Sequence, residues 1–500
     1  MLEVSTLLDA ENIEVALSAE LSASRKLLPL SSLGQALDPH TSEAAEWLHG
    51  LLSTNWQPSI ERMVAASKAR HGVRPIAVWD LPSSVLYRAL TSKLSDHLEA
   101  PVRSSAAWKE FQESPLQLPG RYIVAADIAA CYPSIDHGEL SRELTIQTGA
   151  GDVVTQIIGL LQATSGRSYG LPQQSYPSDI LAEAFLGALE RRLVRKGLDL
   201  ARYNDDFLIN CQSWSEVVRT IEVLSEETRA VGLLLNDAKV LTYRRSTYQE
   251  RLARVETLRE TIAAEAEIDL AQILEDYDDA VVIKADQEEV DRLTAVKVLE
   301  RWRRIAGGGH VADRNRVEYA AVLRLLPVAF QELSKTAEDS EAALNISRRL
   351  LRYEQTITPA VCDFYTSRTD ESPLLATLDK LLTRRTYLTG WQTWWLQQPL
   401  ARLDLSAQPG ASRRARWLRA AYDEADRSPV LRAHTARTMA RHHLIRPDQL
   451  LTLYDRSSAV ERPVVVEAMA LSKPPGNLAK AVTGDNKLYK WIFDWATQHA

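Results

Sequence analysis

Ala201-Arg202-Tyr203-Asn204-Asp205-Asp206-Phe207-Leu208-Ile209 reads as two short, largely apolar strands that turn back on each other at a polar centre. Asparagine and aspartate tolerate the tight backbone of a two-residue hairpin, so Tyr203 to Asp206 is the natural turn. Adjacent carboxylates in a turn are commonly no more than solvated. Their meaning changes with Val124-Ala125-Ala126-Asp127-Ile128 upstream, an apolar strand that ends on a third carboxylate. A lone aspartate after a strand most often caps the next helix. Taken with the Asp205-Asp206 turn, it offers hard oxygen ligands from neighbouring strands, a donor set suited to two Mg²⁺ ions, for which Mn²⁺ can substitute. Such a pair can lower the pKa of an attacking hydroxyl, align attacking and leaving oxygens, and neutralise charge on a triphosphate. The expected chemistry is nucleotidyl transfer, with Asp127 and Asp205 as bridging ligands and Asp206 assisting.

Working outward, Ser168-Tyr169-Gly170-Leu171-Pro172-Gln173-Gln174-Ser175-Tyr176-Pro177-Ser178 is a loop that enters an apolar helix. Alone it is punctuation; between two carboxylate elements it suits a platform for template and incoming base. Downstream, Leu233-Leu234-Leu235-Asn236-Asp237-Ala238-Lys239-Val240 places one lysine at the start of an apolar strand. A lone lysine is usually a surface residue, but beside a triphosphate Lys239 could protonate or neutralise departing pyrophosphate. Upstream, Arg74-Pro75-Ile76-Ala77-Val78-Trp79 reads as a strand and Ser83 to Leu98 as a helix. With strands also expected at 122–126 and 240–243, the region is α+β, helices on a small sheet. The expected division is 1–120 as an N-terminal segment, 121–247 as the sheet-bearing unit and 248–500 as an α-helical domain.

Beyond about residue 245 strand signals fade into amphipathic helices punctuated by Ala306-Gly307-Gly308-Gly309-His310, Gln408-Pro409-Gly410 and Pro474-Pro475-Gly476. A solenoid and an isolated bundle fit equally well, since no repeat of fixed period is visible. Arg301-Trp302-Arg303-Arg304, Arg348-Arg349 with Arg352, Arg384-Arg385, Trp391 with Trp394 and Trp395, and Arg413-Arg414 with Arg416-Trp417 interleave cations and rings. Such patches can grip a single strand, and one of them is expected to line a product channel, although each alone reads more simply as helix core and solvated face. Arg437-Thr438-Met439-Ala440-Arg441-His442 has the spacing of an Arg-x4-x6-His ribonuclease motif; a surface helix explains it better.

The 500 residues carry 59 Lys+Arg against 66 Asp+Glu, a formal charge of -7, so nucleic acid must bind a local basic groove rather than an overall positive field. Cys131, Cys211 and Cys362 are too few and too scattered for a disulfide framework or zinc knuckle. No apolar run spans a membrane, and Glu3 and Asp9 stand where a signal peptide needs bases. A cytoplasmic, membrane-free location is expected.

Read in order, these pieces resemble the palm motifs A, B, C and D of reverse transcriptases: the strand-end Asp127 with a downstream aromatic, Gly-Leu-Pro-Gln with a later serine, the aromatic-x-Asp-Asp turn, and Asn-x-x-Lys. The resemblance implies a right-hand fingers and palm. It puts Arg74 on the incoming triphosphate and Tyr132 at the steric gate that excludes a ribose 2′-hydroxyl, favouring dNTPs. Ile128 is placed with both the metal and the dNTP, Gln173 with the incoming nucleotide, and Gln174, Ser178 and Tyr203 with template or primer. Two positions depart from the family pattern: Gln174 stands where glycine is usual, and Asn204 where a small or apolar residue is usual. With the long helical C-terminal half, these departures resemble the defence-associated, abortive-infection group of prokaryotic reverse transcriptases, in which a helical, HEAT-like domain follows the palm. That group implies anti-phage DNA synthesis, untemplated or protein-primed in some members, by homo-oligomers with RNA or single-stranded DNA, and in some branches a non-coding RNA. Retron and group II intron enzymes, and a catalytically silent nucleic-acid-binding scaffold, are the competing expectations.

Overall fold

A computed structural model describes residues 6–499 apart from 24, 55, 69–71, 276–286, 307–315, 337–339, 384–385, 426–427 and 485. Strands β1 (Arg62–Lys68) and β2 (Gly72–Val78) form an antiparallel hairpin in which Arg74 lies opposite Ala66. Only β2 was expected. β1 escapes a sequence reading because Ala65, Ala66 and Ser67 have little strand preference of their own; pairing with β2 supplies it. The following helix runs over Leu81–Ser92, not Ser83 to Leu98. Asp80 starts it early, accepting a bond from the Ser83 amide at 2.8 Å, and Pro82 sits in the first turn, where its missing N–H costs nothing.

The second sheet contains β3 (Tyr122–Asp127), β4 (Leu200–Tyr203), β5 (Asp206–Cys211) and β6 (Leu241–Arg244) in the order β4-β5-β3-β6. The pairings are antiparallel and set Asp127 opposite Asp206. Both faces are covered, as the alternation along the strands requires. Val124, Ala126, Phe207, Ile209 and Cys211 point into the main core, which helices Tyr176–Arg195 and Trp214–Ala230 help to build. Ile123 and Leu208 point the other way, into a smaller cluster with Phe111 and Tyr248. The central strand β3 is thereby clamped on both faces and carries its terminal carboxylate on a rigid support.

From Arg245 onward the described residues are helical, with no strand among them. Alternate helices stack: Arg316–Leu333 on Thr358–Thr366, that on Gly390–Arg402, then Pro429–Arg441, Arg462–Leu471 and Lys487–Gln498. The array curls back onto the N-terminal segment. Trp391 and Trp395 donate indole N–H bonds to the Leu27 carbonyl at 2.6 and 3.3 Å, and Arg62 of the hairpin pairs with the buried Glu461 at 2.6 Å. Among the described residues no helix is long and apolar enough to cross a membrane.

This packing removes most of the tryptophans from the expected product channel, while Arg303, Arg304, Arg352, Arg413 and Arg416 stay exposed. Trp302, Trp391, Trp394 and Trp395 are core residues with no face left for bases. Arg414 is buried against Asp379 at 3.0 Å, and Arg301 pairs with Glu318 at 2.6 Å. The Arg384-Arg385 pair lies outside the described residues. Arg437 and His442, the pair of the ribonuclease-like spacing, each have another partner: Arg437 is buried on Glu467 at 3.4 Å and the His442 ring bonds the Leu400 carbonyl at 2.8 Å.

Candidate active site

Asp127 does not cap a helix: the turn Cys131–Ser134 has Ala130 at its N-cap, and the next helix, His137–Thr148, is capped by Asp136. Its own loop is stitched down from three directions. The Ile128 amide donates to the Asp205 carbonyl at 3.1 Å, the Ala129 amide to Leu234 at 2.8 Å, and the Asn236 amide to the Asp127 carbonyl at 2.8 Å. Across from it the chain reverses at Asn204, whose φ of 56° is a left-handed conformation that asparagine tolerates better than most residues. The outcome is three carboxylates, Asp127, Asp205 and Asp206, with oxygens within 4.8 Å of one another.

Such a cluster repels itself. Burial, and then the neighbouring Asp127, push the Asp205 carboxyl above its usual range; burial, then Asp205 and Asp127, push Asp206 up to about 7. Two side chains offset this at Asp127. Lys239 Nζ donates to Oδ1 at 2.6 Å and Asn236 Nδ2 to Oδ2 at 3.0 Å. Lys239 sits on the 3-10 turn Asp237–Lys239 just ahead of β6, not on the strand itself. Three converging hard oxygen donors, mutually repelling and half-enclosed, are a donor set that could hold a divalent metal ion.

The loop before helix Tyr176–Arg195 is pinned to the turn after β3. The Leu171 amide donates to the Tyr132 carbonyl and the Gly170 amide to Ile135, each at 2.8 Å, while His137 Nε2 donates to the Gly170 carbonyl at 2.8 Å. Gly170 has φ 98°, a backbone that side-chain-bearing residues rarely adopt, and a Cβ there would meet the Pro133 carbonyl oxygen at a tight 3.3 Å, so glycine is favoured on both counts. Gln174 also adopts a left-handed backbone, φ 61°, a conformation that glycine takes without strain and a side-chain-bearing residue does not. Gln173 and Gln174 are half-buried on this loop.

Two residues expected at template or primer have partners within the protein. Ser178 is fully buried, its hydroxyl 3.0 Å from that of Tyr87, so no template can reach it. Tyr203 turns its ring onto Trp108 and Phe111, at centroid distances of 5.1 and 5.8 Å. Tyr132 is half-buried beside the acids and bonds Asp179.

Several residues around the site carry no local sequence signal. Arg202, its side chain 5% exposed, joins Glu183 and Glu190 of helix Tyr176–Arg195 and donates to the Asn204 carbonyl at 3.2 Å, holding the acidic turn to that helix. The only hint is that Glu183 and Glu190, two turns apart, share a helix face. The Lys68 charge acts on Asp206 and the Arg103 charge on Asp205. Lys68 ends β1 on the hairpin that also carries Arg74.

Residues 66–265 match the family model described as reverse transcriptase (RNA-dependent DNA polymerase). No curated protein matches the chain. Among solved structures, the chain is similar to telomerase from Candida albicans in complex with a TWJ fragment of telomeric RNA, at 12% identity and TM-score 0.30, covering 70% of this chain and 63% of that one. It is also similar to a structure described as an RdRp complex, at 10% identity and TM-score 0.30, covering 99% of this chain and 51% of that one. The chain thus spans less than two thirds of either structure's length, and the TM-scores are too low to assign a fold.

Proposed function

We propose, from the premise that residues 66–265 are a reverse-transcriptase domain and the chain a polymerase-type enzyme, that it extends a nucleic-acid hydroxyl with deoxynucleoside triphosphates at Asp127, Asp205 and Asp206. The observation that carries this reading is the convergence of those carboxylates at the joined ends of β3 and β5. With Ile128 beside them, they would hold Mg²⁺, or Mn²⁺ in its place. When bound, the two ions would neutralise the triphosphate and align the attacking and leaving oxygens.

The protein's own groups do the rest. Asn236 fixes the orientation of the Asp127 carboxylate by donating to its Oδ2. Lys239, with a side chain 47% exposed, can swing from Asp127 to the departing pyrophosphate and give it a proton. Lys68 and Arg74, on paired strands of the hairpin, offer cations to the triphosphate. Tyr132 walls off the sugar 2′ position, and Gln173 contacts the incoming nucleotide. Gln174 crowds the position where a base pair would approach the backbone, which favours limited or absent template copying. We read 1–120 as N-terminal segment and fingers, 121–247 as palm and 248–500 as helical domain. The Gln174 and Asn204 departures support placement with the defence-associated group, acting on RNA or single-stranded DNA as a homo-oligomer, with protein priming among its modes.

Labelled dNTPs and Mg²⁺ incubated with the purified protein, with and without added RNA or DNA template, test the reading. Incorporation abolished by Asp205→Asn is expected. Absence of incorporation by the wild type, or equal incorporation by the variant, refutes it. Sequencing the product separates copied from untemplated DNA.

A further inference from the structure

Tyr132 is not a free ring standing beside the acids. It sits in the short turn Cys131–Ser134, and its hydroxyl donates to Asp179 Oδ1 at 2.6 Å. Arg103 reaches the same place from another element, contacting the Tyr132 hydroxyl, pairing with Asp179 Oδ1 at 3.1 Å and lying 5.9 Å from the ring centroid. Asp179 belongs to the first turn of helix Tyr176–Arg195, where burial holds its carboxyl above the usual range and the Arg103 charge and the Tyr132 bond work against that rise; Arg103 precedes helix Ser105–Glu113. Burial, and then the Asp179 charge, hold the phenol above its usual range, so the proton remains on oxygen and the hydroxyl remains a donor.

We propose that Asp179 and Arg103 are positioning residues that clamp Tyr132, so that discrimination between deoxyribose and ribose depends on an ionic lock and not on ring size alone. This rests on the reading of Tyr132 as a sugar gate and deepens it. A phenol whose proton goes to Asp179 and one of whose lone pairs receives Arg103 has no donor left for a ribose 2′-hydroxyl and is held in place against it. A ring tied at its far end to two separate elements also cannot swing aside to admit one. A bare ring would depend on neighbouring side chains for rigidity, and Tyr132 is only half-buried. The charged pair is partly enclosed, with side chains 34% and 23% exposed for Arg103 and Asp179, so its bonds to the phenol are stronger than those of a surface contact. Arg103 also acts on Asp205, which ties the clamp to the catalytic cluster.

The test is the ratio of kcat/KM for a dNTP to that for the matching rNTP, in wild type, Tyr132→Phe, Asp179→Ala, the double variant and Tyr132→Ala. Asp179→Ala and Tyr132→Phe are each expected to lower the ratio roughly tenfold, equivalent to ~1.4 kcal/mol. The double variant should match either single one, because all three remove the same bond. Asp179→Asn, which keeps an acceptor for the phenol, should restore part of the ratio. If Tyr132→Ala lowers the ratio while Tyr132→Phe and Asp179→Ala leave it unchanged, the gate stands and the clamp is wrong. If Tyr132→Ala leaves the ratio unchanged, the gate reading fails and the clamp fails with it. A merely structural role for Asp179 would lower both activities together, leave the ratio at its wild-type value, and so also overturn the clamp.

Discussion

Lys239 Nζ lies 2.6 Å from Asp127 Oδ1 while Asn236 Nδ2 holds Oδ2 of the same carboxylate at 3.0 Å. The two contacts differ in kind. Asn236 is an orienting bond that can persist through a catalytic cycle, whereas the lysine occupies an oxygen that a cation would need. Removing them should therefore separate. Asn236→Ala is expected to raise the Mg²⁺ concentration for half-maximal activity about tenfold, the usual effect of losing a bond behind a metal ligand. Lys239→Ala should lower kcat on the order of 100-fold through the lost proton donor, without raising the Mg²⁺ requirement. Mg²⁺ titrations of incorporation rate check both; a raised requirement in Lys239→Ala would contradict the assignment.

Gln174 offers a test of backbone strain. A non-glycine residue in the left-handed region costs about 1–2 kcal/mol, part of which the unfolded-state entropy of glycine offsets. Gln174→Gly is expected to stabilise the protein by up to about 1 kcal/mol, whereas Gln174→Ala, with the same backbone penalty, should not. If the side chain also crowds the template position, Gln174→Gly will raise the fraction of product that copies an added template. Denaturant unfolding and product sequencing measure the two effects independently.

What the sequence made legible was local. Asp127 and Asp205-Asp206 could be placed because a strand end and a hairpin turn are specified by the residues that form them. Ser178 could not, because what decides its role is Tyr87, distant in sequence and packed over it. The Arg103–Tyr132–Asp179 and Arg202–Glu183–Glu190 contacts escaped for the same reason: charged residues from separate elements meet only once the sheet and its helices have packed. The tryptophans were ambiguous for a different reason. Helical spacing tells which residues share a face but not whether that face meets solvent or another helix, and the backward curl of the array onto Leu27 decided it.

His434 predicts an acid-sensitive helical array. It lies buried in helix Pro429–Arg441, 4.8 Å from the Trp394 ring, with Nδ1 lacking a hydrogen-bond partner. Burial, and then the charge of Arg437, hold its imidazole well below the usual range. The unfolded chain therefore takes up this proton near pH 6.5 while the folded one does not, so the stability is intact above that pH and falls as pH drops. The loss should approach about 1.4 kcal/mol per pH unit below ~6.5. Unfolding free energies at pH 7.5 and 5.5, compared between wild type and His434→Phe, measure it. The variant should lose less stability on acidification; an equal loss would assign the acid sensitivity elsewhere.

Arg202 links stability and catalysis through one side chain. It is nearly buried between Glu183 and Glu190, and its guanidinium also holds the Asn204 carbonyl at the head of the acidic turn. Deleting it leaves Glu183, its side chain 14% exposed, and the more open Glu190 without their partner, a change expected to cost up to about 3 kcal/mol. Arg202→Ala should therefore unfold at markedly lower denaturant, and Glu183→Gln with Arg202→Met should recover part of that loss because the more enclosed carboxylate is neutralised and the one left without a partner, Glu190, is a third exposed. The rescue should not extend to activity. Methionine cannot donate to Asn204, so the turn loses its anchor and the Asp205 carboxylate its fixed position relative to Asp127. Restored stability together with an incorporation rate still depressed at least tenfold would show that the arginine acts on the geometry of the acids as well as on the fold; full recovery of both would reduce it to a packing residue.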